Sequence, residues 1–389
     1  MNSAMRIAMI GTRGVPARYG GFETAVEEIG RRLVARGHQV TVYCRPSDAD
    51  RPSEHLGMRL VHLPAARRKT LETLSHTALS AAHVVAKGGH NVAIVFNAAN
   101  APFVPALHLR RLPVAVHVDG LEWKRAKWSG AGKRFYRIAE GLAVRWADAL
   151  IADAQGIADY YIDEFGASTD LIAYGASILD EPGSDRLAAL NVEPGEYHLV
   201  VARFEPENHV DLAIEGYLRS AASAPLIVVG SAPYAGDYTR RIEQLASADR
   251  RVRLVGGIWD QAQLDQLYAH ARTYIHGHSV GGTNPSLLRA MGAGAPVLAY
   301  DVSFNREVTG TDDAAFWSGP TALARLIEQA EADVELTKML GRRLRVAAEE
   351  RYDWEGVTDA YEKMCSRLAG SHISRRGRPR PSLLRIARR

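Results

Sequence analysis

The chain has 389 residues, more than one ordinary hydrophobic core accommodates, so two domains are expected. Its composition, 47% hydrophobic and 24% charged, is that of a globular enzyme, and its two cysteines, Cys44 and Cys365, exclude a disulfide framework and a cysteine-built metal site. The formal charge of +4 is too small for wholesale coating of nucleic acid, although it gathers in Lys124 to Arg137 and in the arginine-rich end of the chain.

Residues Met1 to Arg6 lead directly into Ile7–Ile10, an apolar run expected as the first strand, so no cleavable leader is expected and the protein is placed in the cytoplasm. No apolar run reaches the roughly eighteen residues needed to cross a bilayer. A glycine-rich loop follows Ile10, and Glu23–Arg36 then carries Ala25, Ile29 and Leu33 at helical spacing. Strands are expected at Gln39–Cys44, Arg59–Leu63, Val92–Phe96, Val114–Val118 and Ala149–Ala152. The polar stretch Ser177 to Glu196, with Pro182 and Pro194, reads as a linker. A second series begins at Tyr197–Val201 and continues through Leu226–Val229, Val252–Leu254, Thr273–Ile275 and Val297–Ala299, before a last helix at Trp354 to Leu368, an element that often crosses back in two-domain enzymes of this shape. Strands that alternate with helices imply parallel pairing. The expected fold is therefore α/β, with two Rossmann-like doubly wound domains facing a cleft. Their expected bounds are residues 1–180 and 181–368, followed by a basic, disordered tail at 369–389. Ligands of such sheets sit beyond the carboxyl ends of the strands.

Four segments carry chemistry. Gly11-Thr12-Arg13-Gly14-Val15-Pro16-Ala17-Arg18-Tyr19-Gly20-Gly21 joins the first strand to the first helix, where bare backbone can approach a phosphate or an acceptor. It is neither the GxGxxG fingerprint of dinucleotide binders nor a P-loop, which disfavours a dehydrogenase; a tight strand-to-helix turn explains it equally well. His117-Val118-Asp119-Gly120 ends a strand with His117 and Asp119 on one face. There His117 either bonds a sugar hydroxyl, holds a proton or is simply buried. Arg203 follows the first strand of the second series and can fork onto a diphosphate, or else pair with Glu205 or Glu207. In His276 to Gly294 a strand leads through glycines to a helix capped at Asn284, with Pro285 in its first turn and the Ser286 and Leu287 amides offered to an anion. His276 and His278 have no carboxylate at ligand spacing, so no metal is expected there. Asp48-Ala49-Asp50 reads as a solvated turn. Lys124, Arg125, Lys127 and Trp128 suit contact with an anionic membrane as well as they suit a plain basic face.

Taken together, Ile10 to Thr24, Phe96-Asn97-Ala98-Ala99-Asn100-Ala101-Pro102, His117 to Gly120, Ala202 to Asn208, Gly281-Gly282-Thr283-Asn284-Pro285-Ser286 and Phe304-Asn305-Arg306-Glu307-Val308 resemble glycosyltransferase family 4. The resemblance is strongest to the bacterial subgroup containing the cell-wall and capsule β-1,4-rhamnosyltransferases. It implies the GT-B fold and a retaining transfer of a sugar, rhamnose from dTDP-rhamnose first, to a lipid-linked or polysaccharide acceptor. It also implies a catalytic set of His117, Asp119 and Arg203 and a donor set of Gly20, Gly21, Arg203, Asn208, Asn284, Ser286, Leu287 and Arg289. No cofactor, metal or nucleic acid is implied; the nucleotide sugar is a substrate, and peripheral contact with the inner face of the membrane goes with the acceptor. Two positions depart from the pattern. Asn208 and His209 stand where the family has a lysine, and Arg289 stands where it has a glutamate that bonds ribose. Arg289 keeps open a silent, nucleotide-sugar-binding homologue, and the double Rossmann shape keeps open a nucleotide-sugar epimerase.

Overall fold

The computed structural model describes residues 4–17, 21–46, 51–66, 71–118, 120–125, 130–231, 236–310 and 313–370. The chain divides into two compact units, residues 1–174 with 354–389, and residues 175–353.

The first unit is built on strands β1 (Arg6–Ile10), β2 (Gln39–Cys44), β3 (Glu54–His55), β4 (Met58–His62), β5 (Val92–Phe96), β6 (Val114–His117), β7 (Ala149–Ala152) and β8 (Asp170–Leu171), in the sheet order β3-β4-β2-β1-β5-β6-β7-β8. Among the described residues only the β3–β4 hairpin is antiparallel. Helices α1 (Gly21–Ala35), α2 (Glu72–Lys87), α3 (Val104–His108), α4 (Gly130–Trp146) and α5 (Gln155–Phe165) connect them. Every residue of β5 is buried, as a central parallel strand covered on both faces requires. The strand order reverses between β1 and β5, and the chain leaves both strands there. Gly11, at φ +101°, makes this possible, because a Cβ on it would stand 2.5 Å from the Phe96 carbonyl oxygen and 2.8 Å from Asn100 Nδ2.

The second unit carries β9 (His198–Val201), β10 (Leu226–Val229), β11 (Val252–Gly256), β12 (Thr273–His276), β13 (Val297–Tyr300) and β14 (Ala315–Trp317), all parallel, in the order β11-β10-β9-β12-β13-β14. Its helices are α6 (Val210–Arg219), α7 (Asp237–Ser247), α8 (Gln261–Ala269), α9 (Pro285–Gly292), α10 (Ser303–Thr309), α11 (Pro320–Ala332) and α12 (Val334–Arg351). Val200, Ile214, Tyr217, Val228, Trp317 and Ile327 close one face into a core. Here the order reverses between β9 and β12.

Both sheets are Rossmann-like, as the alternation of strand and helix predicts. The expected domain bounds need correction. The last helix, α13 (Trp354–Gly370), belongs to the first unit, not to the second. Its Trp354, Tyr361, Met364, Cys365 and Leu368 are buried, and its Glu355, Asp359 and Glu362 receive Arg36 at 2.6, 2.5 and 2.9 Å. Charges and apolar stripe alike match α1, whose Arg32 also pairs with Glu355 at 2.8 Å. At the other boundary the second unit starts at Gly175 instead of residue 181, because Ala176 donates to the Tyr352 carbonyl (2.7 Å) and Leu179 to that of Gly292 (3.1 Å). The expected tail loses residues 369 and 370 to α13, and the rest of it lies outside the described residues.

Candidate functional site

In the second unit, the ends of β9 and β12 are where a doubly wound sheet opens to a ligand. Val201 runs into Ala202 and Arg203, and His276 runs into the glycine loop ahead of α9. Arg203 is half-buried, and its carbonyl accepts from Asn208 Nδ2 at 2.8 Å. Asn208 is 5% exposed and shapes the turn that carries Arg203, with one of its two amide hydrogens given to that carbonyl. Gly277 lies against the Asn208 carbonyl, where any Cβ would collide with that oxygen.

Helix α9 starts as its sequence predicts, with Asn284 at the N-cap and Pro285 in the first turn. Of the two amides assigned to an anion, that of Ser286 is already engaged by Asn284 Oδ1 (3.0 Å), which also accepts from Ser286 Oγ (2.8 Å). The Tyr274 hydroxyl donates to Ser286 Oγ (3.0 Å) and lies 3.1 Å from His276 Nδ1. Leu287 is fully buried, so only its backbone can face a ligand. His278, Ser279, Gly281, Gly282, Asn284 and Asn305 line a small concavity between this cap and α10. Asn305 holds that wall by donating to the carbonyls of His278 (2.9 Å) and Tyr300 (2.8 Å). Arg289 pairs with Asp265 of α8 at 3.3 Å, so the unexpected cation has an acidic neighbour. Burial raises the Asp265 pKa, and Arg289 pulls it down.

Burial holds His276 far below the usual histidine range, at about 3, and its ring stacks on His278 at 4.5 Å. Among the described residues no three His, Cys, Asp or Glu side chains gather as a metal-ligand set.

In the first unit His117 ends β6 inside an aromatic box. Phe96 and Tyr174 stack on its two faces at 5.7 and 5.8 Å, and Phe22 meets it edge-on at 5.2 Å. The ring is fully buried and desolvation lowers its pKa to about 3. The neutral imidazole is thereby favoured, which keeps one N–H donor and one acceptor nitrogen. Gly21 opens α1, in the same unit as His117. Arg125 forms an ion pair with Glu122 (2.7 Å), and the exposed Lys124 lies over the Trp123 ring (5.5 Å). Gly20, Asp119, Lys127 and Trp128 lie outside the described residues, as do Asp48 to Asp50. No helix among the described residues is long and apolar enough to cross a membrane.

Residues 20–175 match the family described as "Glycosyl transferase 4-like domain", and residues 186–346 match "Glycosyl transferases group 1". The chain belongs to the glycosyltransferases. Two curated relatives of this glycosyltransferase are similar over part of their length. The O-antigen chain mannosyltransferase B of Escherichia coli is 25% identical over 169 residues, 42% of this chain and 43% of that protein. The GtfA subunit of the UDP-N-acetylglucosamine–peptide N-acetylglucosaminyltransferase of Streptococcus gordonii is 30% identical over 121 residues, 30% and 23% of the two chains. The match thus spans less than half the length of either relative. Among solved structures, sucrose-phosphate synthase from Thermosynechococcus elongatus superposes with a TM-score of 0.80 at 22% identity, covering 94% of this chain and 99% of that one. The HepE protein of Anabaena in complex with UDP superposes at 0.73 and 18% identity, covering 94% and 100%. These likenesses establish the fold, GT-B with two Rossmann-like domains.

Sequence reasoning singled out Arg203, Asn284 and Ser286, which the structure brings to one sheet edge. It missed Asp265 as the partner of Arg289, and it gave no role to Asn305, although Asn305 stands in a motif that carries the resemblance.

Proposed function

We propose that the second unit holds a nucleoside-diphosphate sugar, without a metal, and that the chain transfers the sugar with retention of configuration to a lipid-linked or polysaccharide acceptor. The observation that carries the reading is the juxtaposition of Arg203, beyond β9, with the capped start of α9, beyond β12, at the reversal point of the sheet. An arginine fork and a helix N-terminus are both complementary to a diphosphate. Rhamnose from dTDP-rhamnose is the donor suggested by the motifs, and the UDP bound to the Anabaena neighbour makes UDP sugars the next to try. The acceptor hydroxyl attacks the anomeric carbon as its bond to the diphosphate breaks, and the departing diphosphate oxygen takes the hydroxyl proton. The protein's share is positioning and stabilising the charge that develops on the leaving group. Peripheral contact with an anionic membrane, through Lys124 and its neighbours, belongs to the same proposal.

Calorimetric titration of dTDP, UDP and GDP, with and without EDTA, tests the reading. Micromolar binding of one diphosphate that survives EDTA and is lost in Arg203→Ala supports it; sensitivity to EDTA removes the metal-independent part, and no binding removes the whole. A second reading, a homologue that binds the donor without transferring sugar, rests on Arg289. Binding without release of diphosphate in the presence of acceptor extracts would favour it.

A further inference from the structure

The single-turn 3-10 helix Pro206–Asn208 joins β9 to α6 at the point where the sheet order reverses. Its middle residue, Glu207, is 7% exposed, and neither carboxyl oxygen has a hydrogen-bond partner among the described residues. The Glu207 carbonyl accepts from both the amide (2.9 Å) and the hydroxyl (3.0 Å) of Ser279, and the Asn208 amide donates to the Glu205 carbonyl (2.9 Å). The backbone of the turn is therefore clamped to the loop that lines the concavity beside α9, and the carboxyl group enters no ion pair among the described residues.

A buried carboxyl group without donors is unfavourable in the free protein, and buried polar groups of native proteins are as a rule satisfied. A bound molecule that brings O–H or N–H groups satisfies it; one that brings phosphate oxygens does not, because two sets of acceptors repel. Elsewhere at this edge Asn284 and Ser286 bond to each other, and Arg289 bonds to Asp265. Two acceptor oxygens on one residue fit a pair of neighbouring ring hydroxyls.

We propose that Glu207 receives hydroxyls of the sugar carried by the nucleotide donor and so selects which sugar is accepted, an assignment that rests on the nucleotide-sugar reading above. Ser279 acts as a positioning residue through its clamp on the Glu207 carbonyl.

The test uses the full chain and titrates dTDP, dTDP-rhamnose, UDP and UDP-glucose into the native protein and Glu207→Gln. The substitution is expected to weaken the sugar nucleotide about 10- to 100-fold and to leave the matching free diphosphate unchanged. Equal weakening of both, or of neither, overturns the assignment. A second arm needs no variant: donors in which single ring hydroxyls are replaced by fluorine, which cannot donate, are titrated into the native protein. At least one analogue should bind about tenfold more weakly than the parent, and that loss should shrink in Glu207→Gln. Equal binding of all analogues by the native protein overturns the assignment, whatever the variant does. Native protein that binds diphosphates but gains nothing from the sugar removes this assignment alone. Native protein that binds no diphosphate removes the nucleotide-sugar reading and this assignment together.

Discussion

Glu140 shows how burial alone sets chemistry at a single residue. It is 4% exposed on α4, accepts from the Tyr160 hydroxyl at 2.8 Å, and has its pKa raised to about 7, chiefly by desolvation. The folded state therefore keeps a proton that the unfolded chain releases near 4.5. This contribution to stability is complete below that value and is lost as the pH rises through 7, by about 1.4 kcal/mol per pH unit within the window. Glu140→Gln, which has no proton to lose, should gain about 1–3 kcal/mol on the native protein between pH 5 and pH 8, read from urea denaturation at both pH values. A constant difference would show that burial does not hold the proton. Arg289 and Asp265 offer a second residue-scale test. Their side chains are each 20% exposed, so solvent screens the pair only in part. A double-mutant cycle of Arg289→Ala and Asp265→Ala should give a coupling of roughly 0.5–1 kcal/mol, and a coupling near zero would show that the pair contributes nothing.

At the scale of elements, close packing outweighs propensity. Gly216 lies inside α6, where alanine is intrinsically better by about 1 kcal/mol. A Cβ there would stand 2.8 Å from Leu323 Cδ2 and 3.0 Å from Leu323 Cβ on α11. Leu323 is fully buried and cannot swing aside, so overpacking should cost about 1–3 kcal/mol. Gly216→Ala should thus destabilise by about 1 kcal/mol net and lower the melting temperature by a few degrees. A rise in melting temperature would mean that α6 and α11 separate without loss.

The whole molecule is two cores in one chain. The second unit closes its own sheet, its own apolar cluster and the edge that carries Arg203, Asn284 and Glu207. Residues 175–353 expressed alone should therefore melt cooperatively and bind the same nucleoside diphosphate as the full chain, within about threefold by calorimetry. A fragment that folds but does not bind would show that the nucleotide needs residues of the first unit. A fragment that does not fold would show that the two cores are not independent.

Local signals made much of this protein legible in its sequence. Short apolar runs alternating with helical spacing specify parallel α/β sheets, and Asn284 followed by Pro285 specifies a helix start, because these depend on neighbours in the chain. The motif order also reads correctly as a glycosyltransferase. Other features depend on residues far apart in sequence. α13 joins the first unit because its carboxylates and apolar stripe meet Arg32, Arg36 and the core more than three hundred residues earlier. His117 is enclosed by Phe22, Phe96 and Tyr174, and Arg289 is matched by Asp265. The carboxyl group of Glu207, an ordinary loop residue by sequence, is buried without a hydrogen-bond partner among the described residues, on a turn whose carbonyl the loop after β12 holds. Burial and partnership are properties of the assembled fold, and they decided which of the polar residues are chemically open.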